Sequence, residues 1–172
     1  MRNFGIRQAL QPTNQAVRKN DIVTIDLSPV MNSYWGDYAR TYIIRNGQAL
    51  TEYELTQHKS DSEFAIGITT EQLLHHKFMK YVSPDKTFED VYLYINEIIK
   101  QHNYKNLDFS GNLGHTIEFH MEDRQYFEAG NQTTLGEVRL FTFEPHIQRS
   151  YGRYGFKKED IYYFQNDEVV ML

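Results

Sequence analysis

Asp21-Ile22-Val23-Thr24-Ile25-Asp26-Leu27-Ser28-Pro29-Val30-Met31-Asn32-Ser33-Tyr34-Trp35-Gly36-Asp37-Tyr38-Ala39-Arg40-Thr41-Tyr42-Ile43-Ile44 reads as two β-strands joined by a tight turn. Ile22 to Ser28 and Tyr38 to Ile44 are rich in β-branched and aromatic residues, and Asn32-Ser33 supplies polar turn residues between them. A two-residue loop at Met31-Asn32 would set Asp26 directly opposite Asp37. Opposed residues share one face of a ribbon, with Cβ atoms about 4.5–5.5 Å apart, and like charges so placed repel. A divalent cation between the carboxylates would offset that repulsion. Two aspartates on a solvated hairpin face are the plainer alternative, and a one-residue register slip would separate them. Asp26 stands in the apolar run Val23-Thr24-Ile25-Asp26-Leu27, where a buried carboxylate needs a partner.

Composition bounds what the rest can be. The 172 residues suit one domain, residues 1–172, with residues 1–20 as a polar lead-in. A net charge of −5, with no basic cluster, argues against nucleic acid as a partner. Thirteen Tyr and eleven Phe predict a ring-lined core. With no Cys there are no disulfides, thiolate ligands or Cys nucleophile. No apolar run reaches the length of a membrane span, so a cytoplasmic protein without a membrane partner is expected.

Beyond the hairpin, Arg45-Asn46-Gly47 is a turn signal. Ser60 to Val82 reads as a helix with Phe64, Ile68, Leu74, Phe78 and Val82 as its apolar stripe, weakened at Gly67. The adjacent His75 and His76 face different directions on such a helix and are expected to be solvated. Ser83-Pro84-Asp85-Lys86 breaks the helix, and Thr87-Phe88-Glu89-Asp90 opens another in capping-box style. Phe88, Val91, Tyr92, Ile95, Ile98 and Ile99 form its apolar face as far as His102. Two amphipathic helices beside a hairpin predict an α+β arrangement, with helices on one face of an antiparallel sheet.

The second half carries further polar groups in apolar settings. Gly114-His115 stands in a strand-like segment, Glu144 lies in Phe141-Thr142-Phe143-Glu144-Pro145-His146-Ile147, and Glu159 enters a final hydrophobic strand. Singly, each has a plain reading: a turn histidine, a strand end, a solvated strand entrance. Glu144 stands out, because apolar surroundings penalise an unpaired carboxylate.

In order, the series resembles the pita-bread (M24-type) metallopeptidases, the family of methionine aminopeptidase, aminopeptidase P and prolidase. The matching stretches are Val23-Thr24-Ile25-Asp26-Leu27, Trp35-Gly36-Asp37-Tyr38-Ala39-Arg40-Thr41, Leu113-Gly114-His115-Thr116-Ile117, Thr142-Phe143-Glu144-Pro145 and Lys158-Glu159-Asp160. Arg40-Thr41 is closer to the aminopeptidase P and prolidase branch. The resemblance implies a pita-bread fold in which five ligands hold two divalent metal ions. Asp37 and Glu159 would bridge both, Asp26 would chelate one, and His115 and Glu144 would complete the other. Such hard donors suit Mn²⁺, Co²⁺, Fe²⁺ or Zn²⁺. Glu144 would also carry protons. A second histidine would contact substrate: His120, five residues after His115 with Glu118 where the family has Gly, or His146, directly after Glu144-Pro145.

The departure lies at the N-terminus. The family has an earlier αβ unit, with a substrate-binding His, before the first Asp strand; here about twenty residues precede it and none is His. An N-terminally incomplete pita-bread domain is therefore expected: a natural truncation, a fragment, or a minimal member that recovers the missing surface as a homodimer. The implied function is a dinuclear metal-dependent peptidase that hydrolyses the N-terminal bond of small peptides, Xaa-Pro peptides included. The alternatives are a catalytically silent pita-bread binding protein and a creatinase-like C–N hydrolase.

Overall fold

The computed structural model of the chain describes residues 14–31, 34–51, 54–55 and 63–172. The expected turn at Asn32-Ser33, residues 1–13 of the polar lead-in and the start of the first helix at Ser60 lie outside these residues.

β1 (Asp21–Leu27) and β4 (Tyr38–Arg45) pair antiparallel, from Asp21 opposite Ile44 to Leu27 opposite Tyr38. Between them the short strands β2 (Val30–Met31) and β3 (Tyr34–Trp35) pair as a separate ribbon. This register corrects the expected one: Asp26 faces Ala39 rather than Asp37. The ribbon pairs Met31 with Tyr34 and Val30 with Trp35, so each partner moves by two from the expected register. A shift of two preserves the face, because strand side chains alternate with period two. After Asn46-Gly47, both at positive φ, β5 (Gln48–Ala49) returns along β4, as the Asn-Gly signal requires.

Among the described residues the two long helices are α1 (Glu63–Tyr81) and α2 (Phe88–Gln101). Thr87 caps α2: its side chain accepts from the Asp90 N–H, and the Asp90 carboxylate accepts from the Thr87 N–H at 2.9 Å. Strands β6 (Tyr104–Asn106), β7 (Phe141–Phe143), β8 (His146–Arg149), β9 (Gly155–Gln165) and β10 (Glu168–Met171) complete the sheet. Its main path runs β1-β4-β9-β8-β6, with β7 and β10 also on β9 and β5 on β4. Every strand pairing among the described residues is antiparallel. The sheet curls into a half-barrel backed by the two helices, the pita-bread-like α+β fold expected.

β9 organises the molecule, and its alternation sorts the chemistry. Phe156, Asp160 and Tyr162 turn toward α1. Phe156 lies against Gly67, where a Cβ would collide with its ring, and Tyr162 reaches His75 and Phe78. Gly67 thus costs helix propensity but lets helix and sheet approach. Leu74, Phe78, Val91, Ile95 and Ile99 pack on Phe127, Phe141, Phe143, Phe156 and Tyr162 to make the core. Phe78 stacks on Phe143 with ring centroids 4.1 Å apart.

His75 departs from expectation. It is buried, with Nδ1 2.8 Å from the Tyr162 hydroxyl and Nε2 3.1 Å from the Lys158 carbonyl oxygen. Both ring nitrogens find partners, so the helix can bury a polar ring on its apolar face. His76 is exposed, as expected.

Candidate metal centre

The opposite face of β9 carries Lys157 and Glu159. Glu159 is opposite Ala39, and Ala39 is opposite Asp26, so these residues share one face across three strands. Asp37, two residues before Ala39, lies at the entrance to β4 on the same face. Ala39 is fully buried, and its single methyl leaves room above the sheet for the longer groups around it.

His115 comes from outside the regular strands. Its segment lies beside β7: the Thr142 N–H donates to the His115 carbonyl, the His115 N–H to Thr142 Oγ1, and the Glu144 N–H to the Leu113 carbonyl. Gly114 has φ +141°, and a Cβ there would strike the Thr142 carbonyl, so only glycine brings the segment this close. These bonds fix His115 and Glu144 relative to each other.

The donor atoms then converge. One ligand atom each of Asp37, His115 and Glu159 lies within 4.8 Å of the others. His115 Nε2 is 3.5 Å from Asp37 Oδ2 and 3.7 Å from Glu144 Oε1. His115 Nδ1 is 3.0 Å from the Thr116 carbonyl oxygen, where an N–H at Nδ1 donates and leaves the Nε2 lone pair toward the carboxylates. Asp37 Oδ1 accepts from Ser28 Oγ at 2.9 Å. Asp37, His115, Glu144 and Glu159 are buried side chains, at 9%, 6%, 9% and 1% exposure. Asp26 differs at 45%, which corrects its expected burial: β1 ends the main path of the sheet, and Ile25 and Leu27 beside it are exposed too.

Both Glu159 carboxylate oxygens are buried without a hydrogen-bond partner. Burial, reinforced by Glu144 nearby, pushes this carboxyl up to about 9. Three buried carboxylates and an imidazole, one carboxylate unsatisfied, are hard and intermediate donors of the kind that hold a divalent cation, and the residues fit one.

Two residues without an expected role enter the site. Lys157 Nζ is 2.8 Å from Asp26 Oδ2, 2.9 Å from Glu144 Oε2 and 3.6 Å from Glu159 Oε2. Burial alone would lower this ammonium; Glu144, Glu159 and Asp26 together outweigh it and hold it above the usual lysine range. The Arg124 guanidinium lies over Trp35 and Tyr126 and comes within 3.5 Å of His115 Nε2. The period-two spacing of Lys157 and Glu159 was a signal for the first; Arg124 has no such signal.

The two histidines considered for substrate contact are placed differently. His146 lies opposite Lys157, half-buried, and burial followed by the Lys157 charge lowers its pKa. His120 is exposed at the start of a short 3-10 turn, its ring edge-on to Phe119.

The model of metallopeptidase family M24 matches residues 2–166. The chain is 25% identical over 138 residues to methionine aminopeptidase from Rickettsia prowazekii, covering 79% of this chain and 48% of that protein. Its fold matches a prolidase from Thermococcus sibiricus at a TM-score of 0.71 and 19% identity, over 95% of this chain and 40% of that one. It also matches the N-terminal domain of FACT complex subunit SPT16 from Eremothecium gossypii at 0.71 and 12% identity, over 98% of this chain and 37% of that one. The chain spans less than half the length of each of these relatives. Among the described residues, no helix is long and apolar enough to cross a membrane.

Proposed function

The chain belongs to metallopeptidase family M24, and on that premise we propose that it is a metal-dependent peptidase acting on the N-terminal peptide bond of small peptides, Xaa-Pro peptides among them. The observation that carries the reading is the meeting of Asp37, His115 and Glu159, from three separate parts of the chain, within 4.8 Å. Together with Glu144 they would hold a divalent ion, Mn²⁺, Co²⁺, Fe²⁺ or Zn²⁺. When bound, that ion supplies an acidified water and polarisation of the scissile carbonyl.

The chain's own groups do the rest. Glu144 takes the proton of the attacking water and delivers it to the departing amine. Its place is fixed through its own N–H on the Leu113 carbonyl. His146 lines the substrate side: its β8 position sets it opposite Lys157, and a neutral ring can hydrogen-bond a peptide group. His120, on its exposed turn, is assigned the outer rim.

The second reading, a catalytically silent binding protein, is favoured by Lys157, whose ammonium already engages three of the carboxylates. The fold alone does not decide, since one fold hosts many activities. Protein loaded with Mn²⁺ or Co²⁺ should cleave a Xaa-Pro dipeptide or a Met-initiated tripeptide, and Glu144→Gln should abolish cleavage while metal stays bound. Metal binding with no turnover of either peptide would overturn the peptidase reading.

A further inference from the structure

Lys157 is held on the site face by its backbone as well as by its charge. Its N–H donates to Thr41 Oγ1 at 2.8 Å, and Thr41 Oγ1 lies 3.2 Å from its carbonyl oxygen. The side chain is 11% exposed, with the ammonium among carboxylates from β1, from the segment joining β7 to β8, and from β9 itself. An ammonium is a compact point charge with three donors, and here three carboxylate oxygens lie within 3.6 Å of it.

The carboxylates divide between two halves. Glu144 turns Oε2 to Lys157 and Oε1 toward His115. Asp26 Oδ2 is committed to Lys157, whereas Asp37 Oδ2 faces His115. One half of the centre therefore holds a tethered cation, and the other presents Asp37, His115, Glu144 and Glu159.

We propose that the Lys157 ammonium substitutes for one of two metal ions, so that this chain takes a single divalent ion, on the His115 side. The inference rests on the metal-binding reading above and adds the stoichiometry. A second dication held by Asp26 and Glu159 would have to displace the ammonium from both and then sit beside a like charge. A neutral residue of similar length at 157 removes that obstacle and frees Asp26 Oδ2 for the second ion.

The test is calorimetric titration of the full chain with Mn²⁺, with electron paramagnetic resonance of the loaded protein and circular dichroism to confirm folding. Wild type should bind one Mn²⁺ per chain with the spectrum of an isolated ion. Lys157→Met should bind two, with spin coupling between them. Lys157→Arg, which keeps the charge, should stay at one and gives a second comparison if the Met variant misfolds: its rise to two would count against the inference. Two coupled ions in wild type, or one in a folded Lys157→Met, would overturn the proposal while leaving metal binding intact. No binding by wild type and Lys157→Met alike would overturn the underlying metal reading as well.

Discussion

His115 Nε2 lies 3.5 Å from Asp37 Oδ2, although the two residues come from different halves of the chain and share no strand pairing. The contact closes because the His115 segment lies beside β7, which pairs with β9, and Asp37 leads into β4, also on β9. Removing the imidazole should therefore cost metal affinity rather than fold. His115→Ala should weaken Mn²⁺ binding by about 100-fold or more, since losing even an outer-shell partner of a ligand costs up to about 100-fold. Calorimetry measures this, and an unchanged affinity would place the ion elsewhere.

Gly114 should not tolerate a side chain. Its φ of +141° is left-handed territory, and a Cβ would meet the Thr142 carbonyl. Gly114→Ala should destabilise by roughly 2–4 kcal/mol, combining backbone strain with a steric clash. The same shift should move His115 and weaken metal binding together with stability. Urea unfolding of the variant checks the first, and a loss under half of the lower figure would contradict it.

His75 should shape the acid limb of stability. Burial lowers its pKa to about 3, and Lys158 adds to the effect. Asp160 Oδ2 lies 3.6 Å from Nδ1, but the carboxylate is already paired with Arg40, so burial prevails. In the unfolded chain the ring titrates near its ordinary value, about 6.5. Between about 3 and 6.5 the unfolded state therefore binds more protons, so stability rises with pH across that window and is lost as pH falls through it. The expected contribution is a few kcal/mol by pH 3. Glu159, raised in the fold, titrates in the opposite sense and is common to both proteins compared. His75→Gln should be less stable at pH 7 yet show a shallower acid slope in urea melts. Equal slopes would contradict the assignment.

Thr87→Ala should cost about 1 kcal/mol by removing one arm of the capping box that starts α2. Asp90→Asn should cost less, since the amide oxygen still accepts from the Thr87 N–H. Thermal or urea unfolding of the pair checks the order.

What could be read from the sequence was whatever depends on local pattern. The hairpin, both helices and the capping box follow from periodicity and end signals, and all are present. The shared face of Asp26 and Asp37 survived a register two residues off, because parity outlasts an even slip. Burial was harder, since it depends on what lies beyond the strand. Asp26 sits in an apolar run, but its strand ends the main sheet path and leaves it half open. His75 looked solvated until Tyr162 and Lys158, far along the chain, satisfied both its nitrogens. Lys157 directly precedes Lys158-Glu159-Asp160 in the sequence, and only the pairing of β9 with β4 and β8 shows which face it takes.

The central claim is that Asp37, His115, Glu144 and Glu159 meet around a cation. Anomalous diffraction from crystals soaked in Mn²⁺ tests it most directly. A peak within coordination distance of His115 Nε2 and of the Asp37, Glu144 and Glu159 carboxylates is the result expected. A peak elsewhere, or none at a Mn²⁺ concentration that saturates a related peptidase, would contradict it.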